Sequence, residues 1–462
     1  MMKSTAKKLD RGLIVLIICT VGGCQSPPSR MQPSFPQATH IATSPVVLSG
    51  FESSQVSDLP AEKLSIDSLV AVGLANNPSI AEAQQKIEAI RYRIPQALSL
   101  PDPMINTTTF AAPIQTAAGE QVFSLGVSQK IVNSQRRTTQ AAILNDELLA
   151  AEANLRQVEL EIADNIRSAS YQVLMIRQSI EILEQNQEIL EQLASIIVTN
   201  YEVKRSISQT DVINIQIEQS DLENQMIVLR QKEQSSLARL NRLLRQPLTT
   251  GIEILDKLQD PKSNQSDIDS LIQFAVEMRP DLQSQLAMIN RDRKKIHLAG
   301  LERKPDFTVG ANWIATNAQG LSPVANGDDA FTLGLAFNLP VYRSRIQAAI
   351  CEARANLHAS DSRYQSLVDN AAEEVFAQIV TLDSIRDTWQ LLEDDIIPKA
   401  ERTLDIALDE YSVGKAEYVQ MIEIWRGILK YKVAAINLRA QYSQSVSSLN
   451  RTLGVLHPLP QE

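Results

Sequence analysis

Apolar residues recur along this chain at two alternating periods. Between residues 134 and 201 the period is helical. Ile176, Ile180, Leu183, Gln187, Leu190, Ala194, Ile197 and Tyr201 are spaced 4-3-4-3-4-3-4, a heptad seam interrupted by one polar residue. Met175, Ile182, Ile189, Ile196 and Val203 form a second row at seven-residue spacing. Two adjacent apolar rows predict a helix that touches a neighbour on each side, as in the wall of a tube; the core of a plain bundle would also accept it. Shorter helices are predicted at 211–245 and 417–453, after breaks at 200–210 and 411–416. Gly414 suits a chain reversal, whereas Lys204 holds that place in the first break.

The period changes to two in four short segments, 104–110, 122–131, 306–314 and 331–341. Phe307, Val309, Ala311 and Trp313 fall on one side of a strand, and Phe331, Leu333, Leu335, Phe337 and Leu339 on one side of the next. Thr308, Asn312, Thr332 and Asn338 fall on the other. These lengths approach the roughly 9–11 residues of a membrane-spanning strand. A small soluble sheet capping a bundle would show the same alternation. Four strands cannot close a barrel in lipid, because the edges would leave backbone groups unpaired. If the strands are in a membrane, several copies of the chain must pool them, and three copies would supply twelve.

The whole pattern is written twice. Ile66-Asp67-Ser68-Leu69 recurs as Ile268-Asp269-Ser270-Leu271, 202 residues later, and Asn77-Pro78 matches Arg279-Pro280 at the same offset. Pro101-Asp102 matches Pro305-Asp306 at 204, Phe123 to Gly126 matches Phe331 to Gly334 at 208, and Leu240-Asn241-Arg242 matches Leu449-Asn450-Arg451 at 209. Tyr201 and Val203 match Tyr411 and Val413 at 210. Anchors in one order with slowly drifting offsets mark an internal duplication. The drift arises mostly in the Gly/Asn/Asp-rich stretch 316–330, a predicted loop. Ser134 to Tyr201 and Ser344 to Tyr411 both span 67 residues. This predicts two matched rods of roughly 100 Å at about 1.5 Å per residue. The predicted organisation is a first repeat at 61–247, a linker at 248–266, a second repeat at 267–456 and a tail at 457–462.

Composition agrees with long helices. Of 462 residues only 5% are aromatic, 16 are Gly, and the 44% hydrophobic content is mostly Ala, Leu, Ile and Val. A net charge of −10 argues against nucleic acid as a partner. Four His and three Cys leave little for a zinc site or a disulfide framework. Glu373-Glu374 and Glu393-Asp394-Asp395 read as solvated faces, since adjacent helical residues do not converge on one point. His297, His358 and His457 lack ligand spacing, and Trp389 and Trp425 read as seam packing or a groove. No catalytic residue, cofactor or metal is predicted, and no enzyme.

The first residues read as an address. Lys3, Lys7, Lys8 and Arg11 precede a short apolar run, Leu13 to Ile18, that ends in Val21-Gly22-Gly23-Cys24. This is similar to the lipobox of bacterial lipoproteins. It implies a signal peptide at 1–23, lipidation of Cys24, and loss of three net positive charges on cleavage. Gln25 points to the outer membrane. Residues 24–60, rich in Pro, Ser and Gln, read as an extended tether.

From about residue 62 to 456 the chain resembles the TolC-like outer-membrane efflux proteins. Tyr411-Ser-Val-Gly414, the Phe-x-Leu-Gly motif in each copy, and the twice-stated order helix, two strands, long helix, turn, helix carry the resemblance. Pro101-Asp-Pro103, and Leu333-Gly-Leu335 with Leu339-Pro340-Val341-Tyr342, look most like the heavy-metal-efflux branch. The resemblance implies a mainly α fold with a small β part. It implies a homotrimer with a twelve-stranded barrel in the outer membrane, continuous with a twelve-helix periplasmic tunnel. A periplasmic adaptor and an inner-membrane pump would be the partners, along with outer-membrane lipid. The chain would be a gated conduit for small molecules or metal ions. The family's gate residues fall on Thr210, Asp211 and Tyr411 near the two turns, with Gly414 at the second turn. The family's gate Arg falls on Ala416, next to Lys415. Two family acidic rings fall on Gln420 and Glu423. Asp211 would also serve as a helix N-cap, and Glu423 as part of a solvated face. The alternative is a lipid-anchored coiled-coil spacer, which would need the rods and not the strands.

Overall fold

The computed structural model describes residues 64–204, 209–262, 267–319, 323, 326–412, 415 and 417–456. The predicted leader, Cys24, the tether, Gly414, Ala416 and the tail at 457–462 lie outside the described residues.

Each half of the chain follows one order. The first half runs α1 (Ile66–Asn76), α2 (Pro78–Leu98), β1 (Met104–Thr116), β2 (Gly119–Ile131), α3 (Ser134–Lys204) and α4 (Gln209–Leu244). The second runs α5 (Ile268–Met278), α6 (Pro280–Leu301), β3 (Phe307–Asn317), β4 (Ala330–Phe337), α7 (Arg343–Gln390), α8 (Ile397–Ser412) and α9 (Tyr418–Thr452). The paired breaks have one cause. Pro78 and Pro280 pull the preceding residue out of helical conformation, and each then opens the next helix. Ser65 and Asp267 cap α1 and α5 by accepting from the backbone N–H of Ser68 and Ser270, both at 3.2 Å.

α3 is unbroken over 71 residues, about 105 Å at about 1.5 Å per residue. Its counterpart is not. A π-helical turn at Leu391–Ile396 separates α7 from α8. Pro398 has no N–H to give back to Asp394, and the Ile397 N–H bonds Leu392, five residues back. The first copy has Glu188 at the matching position and needs no such turn.

The seam of α3 differs from the heptad expected. The buried positions are Ile176, Ser179, Leu183, Asn186, Leu190, Leu193 and Ile197. Gln187 and Tyr201 are exposed, and Ile180 and Ala194 are half-buried. Polar residues occupy the seam because each satisfies itself on its own helix. Ser179 Oγ donates to the Met175 carbonyl at 2.8 Å, and Asn186 Nδ2 to that of Ile182 at 2.8 Å. Packing selected the row and the self-bonded polar groups did not oppose it.

The four strands form one antiparallel sheet in the order β1-β2-β3-β4. β2 pairs with β3, so the sheet joins the two copies. β1 and β2 are longer than predicted, meeting at a tight turn after Thr116, and β4 stops at Phe337, before Pro340. The predicted loop begins after Asn317. Within it Asp329 accepts from the Trp313 ring nitrogen at 3.2 Å and the Thr316 backbone N–H at 3.0 Å.

Candidate functional site

The sheet has two unlike faces. Ile105, Val127, Ala311 and Leu333 form one row across it, and Thr107, Leu125, Trp313 and Phe331 the next. Leu333 is 81% exposed and Phe331 70%. The opposite face carries Asn106, Gly126, Asn312 and Thr332 in one row. A Cβ on Gly126 would sit 2.9 Å from Asn312 Oδ1, so the motif's glycine makes room for its cross-strand neighbour. An apolar face opposite a face of small and polar residues is the alternation of a membrane barrel. Among the described residues β1 and β4 each have one strand partner, leaving two edges for other copies. No helix of the described residues is long and apolar enough to cross a membrane.

Below the sheet the strands hand over to helices around Asp306. Its carboxylate accepts from Arg136 at 3.0 Å and from the Asn133 backbone N–H at 3.2 Å. Its N–H donates to Asn338 Oδ1 at 2.6 Å. The first copy's entry to α3 is thereby tied to the second copy's entry to β3.

At the far end, the tips of α3, α4, α8 and α9 share one core. Leu190, Ile197, Ile215, Leu222, Tyr411, Tyr418, Met421 and Trp425 are all buried there. Tyr411 is 6% exposed, and its hydroxyl has no hydrogen-bond partner among the described residues. The Tyr418 hydroxyl and the Trp425 ring nitrogen are likewise buried without one. Burial pushes the Tyr411 phenol up to about 12, and the negative charge of Asp211 adds to the shift. Tyr418 is pushed up to about 12 by burial and by Glu218, against the opposing pull of Arg426.

The structure therefore brings Asp211, Tyr411 and Tyr418 together. Thr210 is exposed in the first turn of α4, beside half-buried Asp211. Lys415 is exposed, and its N–H closes on the Glu410 carbonyl at 2.9 Å, the five-residue bond of a helix C-terminal cap. Gln420 and Glu423 are exposed on α9, away from the face that buries Tyr418, Met421 and Trp425. Sequence reasoning missed Glu218 and Arg426. Arg426 Nε donates to Glu218 Oε2 at 2.9 Å, and its Nη2 donates to Oε1. Glu218 follows Asp211 by seven residues on α4, a spacing that placed both on the tip-ward face. The match to Arg426 on a helix 208 residues away had no local signal. Among the described residues no group of three or more His, Cys, Asp or Glu could hold a metal ion.

Comparison with known proteins agrees with this geometry. The model of the family described as outer membrane efflux protein matches residues 69–245 and 271–455, once in each copy. The cobalt-zinc-cadmium resistance protein CzcC of Cupriavidus metallidurans is 20% identical over 399 residues, covering 85% of this chain and 91% of the relative. The outer membrane protein VceC of Vibrio cholerae has a similar structure, with a TM-score of 0.69 at 17% identity, over 84% of this chain and 96% of that one. CusC gives a TM-score of 0.69 at 16% identity, over 85% and 92%. Proteins of this family are trimeric transport channels, not enzymes, and work with an adaptor and an inner-membrane pump. With both copies matched by the family model, the chain belongs to the outer membrane efflux protein family.

Proposed function

We propose that three copies of this chain form the exit duct of a tripartite pump whose cargo is divalent metal ions. The observation that carries the duct is the two-faced sheet with both edges open, continuous with paired helical hairpins. A spacer would have no use for Leu333 and Phe331 facing outward from a four-stranded sheet. The cargo rests on the relationship to CzcC, a metal-resistance protein by name. Lipidation at Cys24 would anchor the tether in the outer membrane, and the inner-membrane pump and adaptor would engage the helical tips.

The gate lies at those tips. Thr210, Asp211 and Tyr411 form its upper contact, with Tyr411 acting as a buried ring whose hydroxyl has no partner among the described residues. Lys415 lies between α8 and α9, next in sequence to Gly414. Gln420 and Glu423 face the opening, and a ring of three Glu423 carboxylates favours cations there. The test is metal tolerance. Deleting the gene from its host, with pump and adaptor intact, should lower tolerance to zinc, cobalt or cadmium, and the full chain should restore it. Unaltered tolerance to these ions alongside lost tolerance to an organic toxicant would assign a different cargo.

A further inference from the structure

Charge is unevenly placed along this chain. The four stretches where strands meet helices, 99–103, 130–137, 302–306 and 338–345, hold seven Lys and Arg against three Asp and Glu, in a chain whose net charge is −10. Overall composition does not produce such a belt, so its place at the strand ends calls for a partner there. With the sheet in a bilayer, the belt lies at the level of the lipid headgroups.

Within the belt a cavity of about 550 Å³ opens where α2 and α6 end and α3 and α7 begin. Its size falls within the roughly 300–1,000 Å³ of small-molecule sites. Arg136, Arg137 and Arg345 line it. Two of these are balanced: Arg136 bonds Asp306 at 3.0 Å, and Arg345 lies 3.2 Å from Glu302. Arg137 is not balanced. It gives one N–H to the Leu98 carbonyl, and no carboxylate pairs with it among the described residues. Its Nε is buried, also without a partner among them. The rest of the lining includes Leu339 and Tyr342, which are 68% and 74% exposed just beyond β4. An unbalanced arginine beside open apolar side chains suits an amphiphile with an anionic head and a hydrocarbon body. A tyrosine at this level matches the aromatic girdle of a membrane barrel.

Resting on the duct reading above, we propose that this cavity binds an anionic phospholipid. Arg137 holds the phosphate, Arg345 supplies a second guanidinium at the wall, and Leu339 and Tyr342 lie against the glycerol and the upper acyl chain. Arginine suits the task because its planar donors match phosphate oxygens. A zwitterionic phospholipid carries its own cation beside the phosphate and gains less from Arg137. One bound lipid contacts the ends of all four helices and so fixes the depth of the sheet in the bilayer.

The test uses the purified full-length protein in detergent, read by native mass spectrometry with phosphatidylglycerol or phosphatidylcholine added. Wild type is expected to retain phosphatidylglycerol in preference. Arg137→Gln is expected to weaken that binding about tenfold, the loss for one charge-assisted contact. Arg303→Gln removes the same charge outside the cavity and is expected to leave the preference in place. Equal retention of the two lipids by wild type, or equal losses in the two variants, would overturn the inference, leaving a belt without a site. Inorganic phosphate that displaces the lipid at equal concentration would show a free-anion site and overturn the lipid assignment. If Arg137→Gln does not assemble, a photoreactive phosphatidylglycerol on the wild type decides. Crosslinks to residues 338–346 support the site, and crosslinks only elsewhere would show the cavity covered by another copy and refute it. Failure here leaves a protein that still conducts in planar bilayers, whereas a wild type that gives no pore would remove the duct reading itself.

Discussion

Arg245 and Gly454 hold the same position at the ends of the two returning helices, and both have positive φ, 58° and 77°. In each case the following N–H bonds the carbonyl of a matched asparagine, Gln246 to Asn241 and Val455 to Asn450, both at 2.9 Å. The helix C-cap is thus conserved between copies in geometry but not in residue type. Arginine in this conformation costs about 1 kcal/mol that glycine does not. Arg245→Gly should therefore raise the thermal midpoint of the solubilised trimer. Gly454→Ala should lower it, at a cost of roughly 1–3 kcal/mol in stability, because the added Cβ would meet the Met278 carbonyl oxygen at 2.8 Å.

The faces of the sheet yield a second contrast. Leu333→Arg puts a charge on the lipid-facing row and should cost about 2–4 kcal/mol if the strand is near the bilayer centre. Thr332→Arg, one residue away, points to the opposite face. Heat-modifiable migration of membrane fractions should show loss of the folded form for the first variant and its retention for the second.

At the tip, the Tyr411 hydroxyl, without a partner among the described residues, separates ring from oxygen. Tyr411→Phe removes a buried group without a partner and should leave conductance low, with stability unchanged or up to about 1–2 kcal/mol higher. Tyr411→Ala removes the ring from the core around Leu190 and Ile197 and should raise conductance. Equal opening by both variants would show that the hydroxyl, not the ring, closes the tip.

Alkaline pH tests the same core. The Tyr411 and Tyr418 phenols ionise at about 12 in the fold, above the ordinary value near 10. Their contribution to stability is complete below about pH 10 and is lost as pH rises through about 12. Hydrogen exchange at the ends of α8 and α9 should accelerate across that window, and Tyr411→Phe should weaken the response.

Much of this fold was legible from periodicity. The two long rods, the return helices and the strand pairs follow from spacings of 3.5 and 2 along the chain. The departures have local causes. The buried row of α3 takes Ser179 and Asn186, each bonded to its own helix, where the 4-3 spacing had put Ile180 and Gln187. The π turn at Leu391–Ile396 traces to Pro398, a residue visible in the sequence whose effect depends on where the helix lies. Asp211 and Tyr411 were found at the tip through resemblance, and the structure brings them close. Glu218 and Arg426 were missed because a pair 208 residues apart leaves no periodic trace.

The central claim is that copies of this chain complete one another as a pore. Single-channel recording of the full-length protein in a planar bilayer tests it most directly. The account predicts discrete, uniform current steps from a trimeric particle. A folded trimer that adds to the bilayer and carries no current would contradict it.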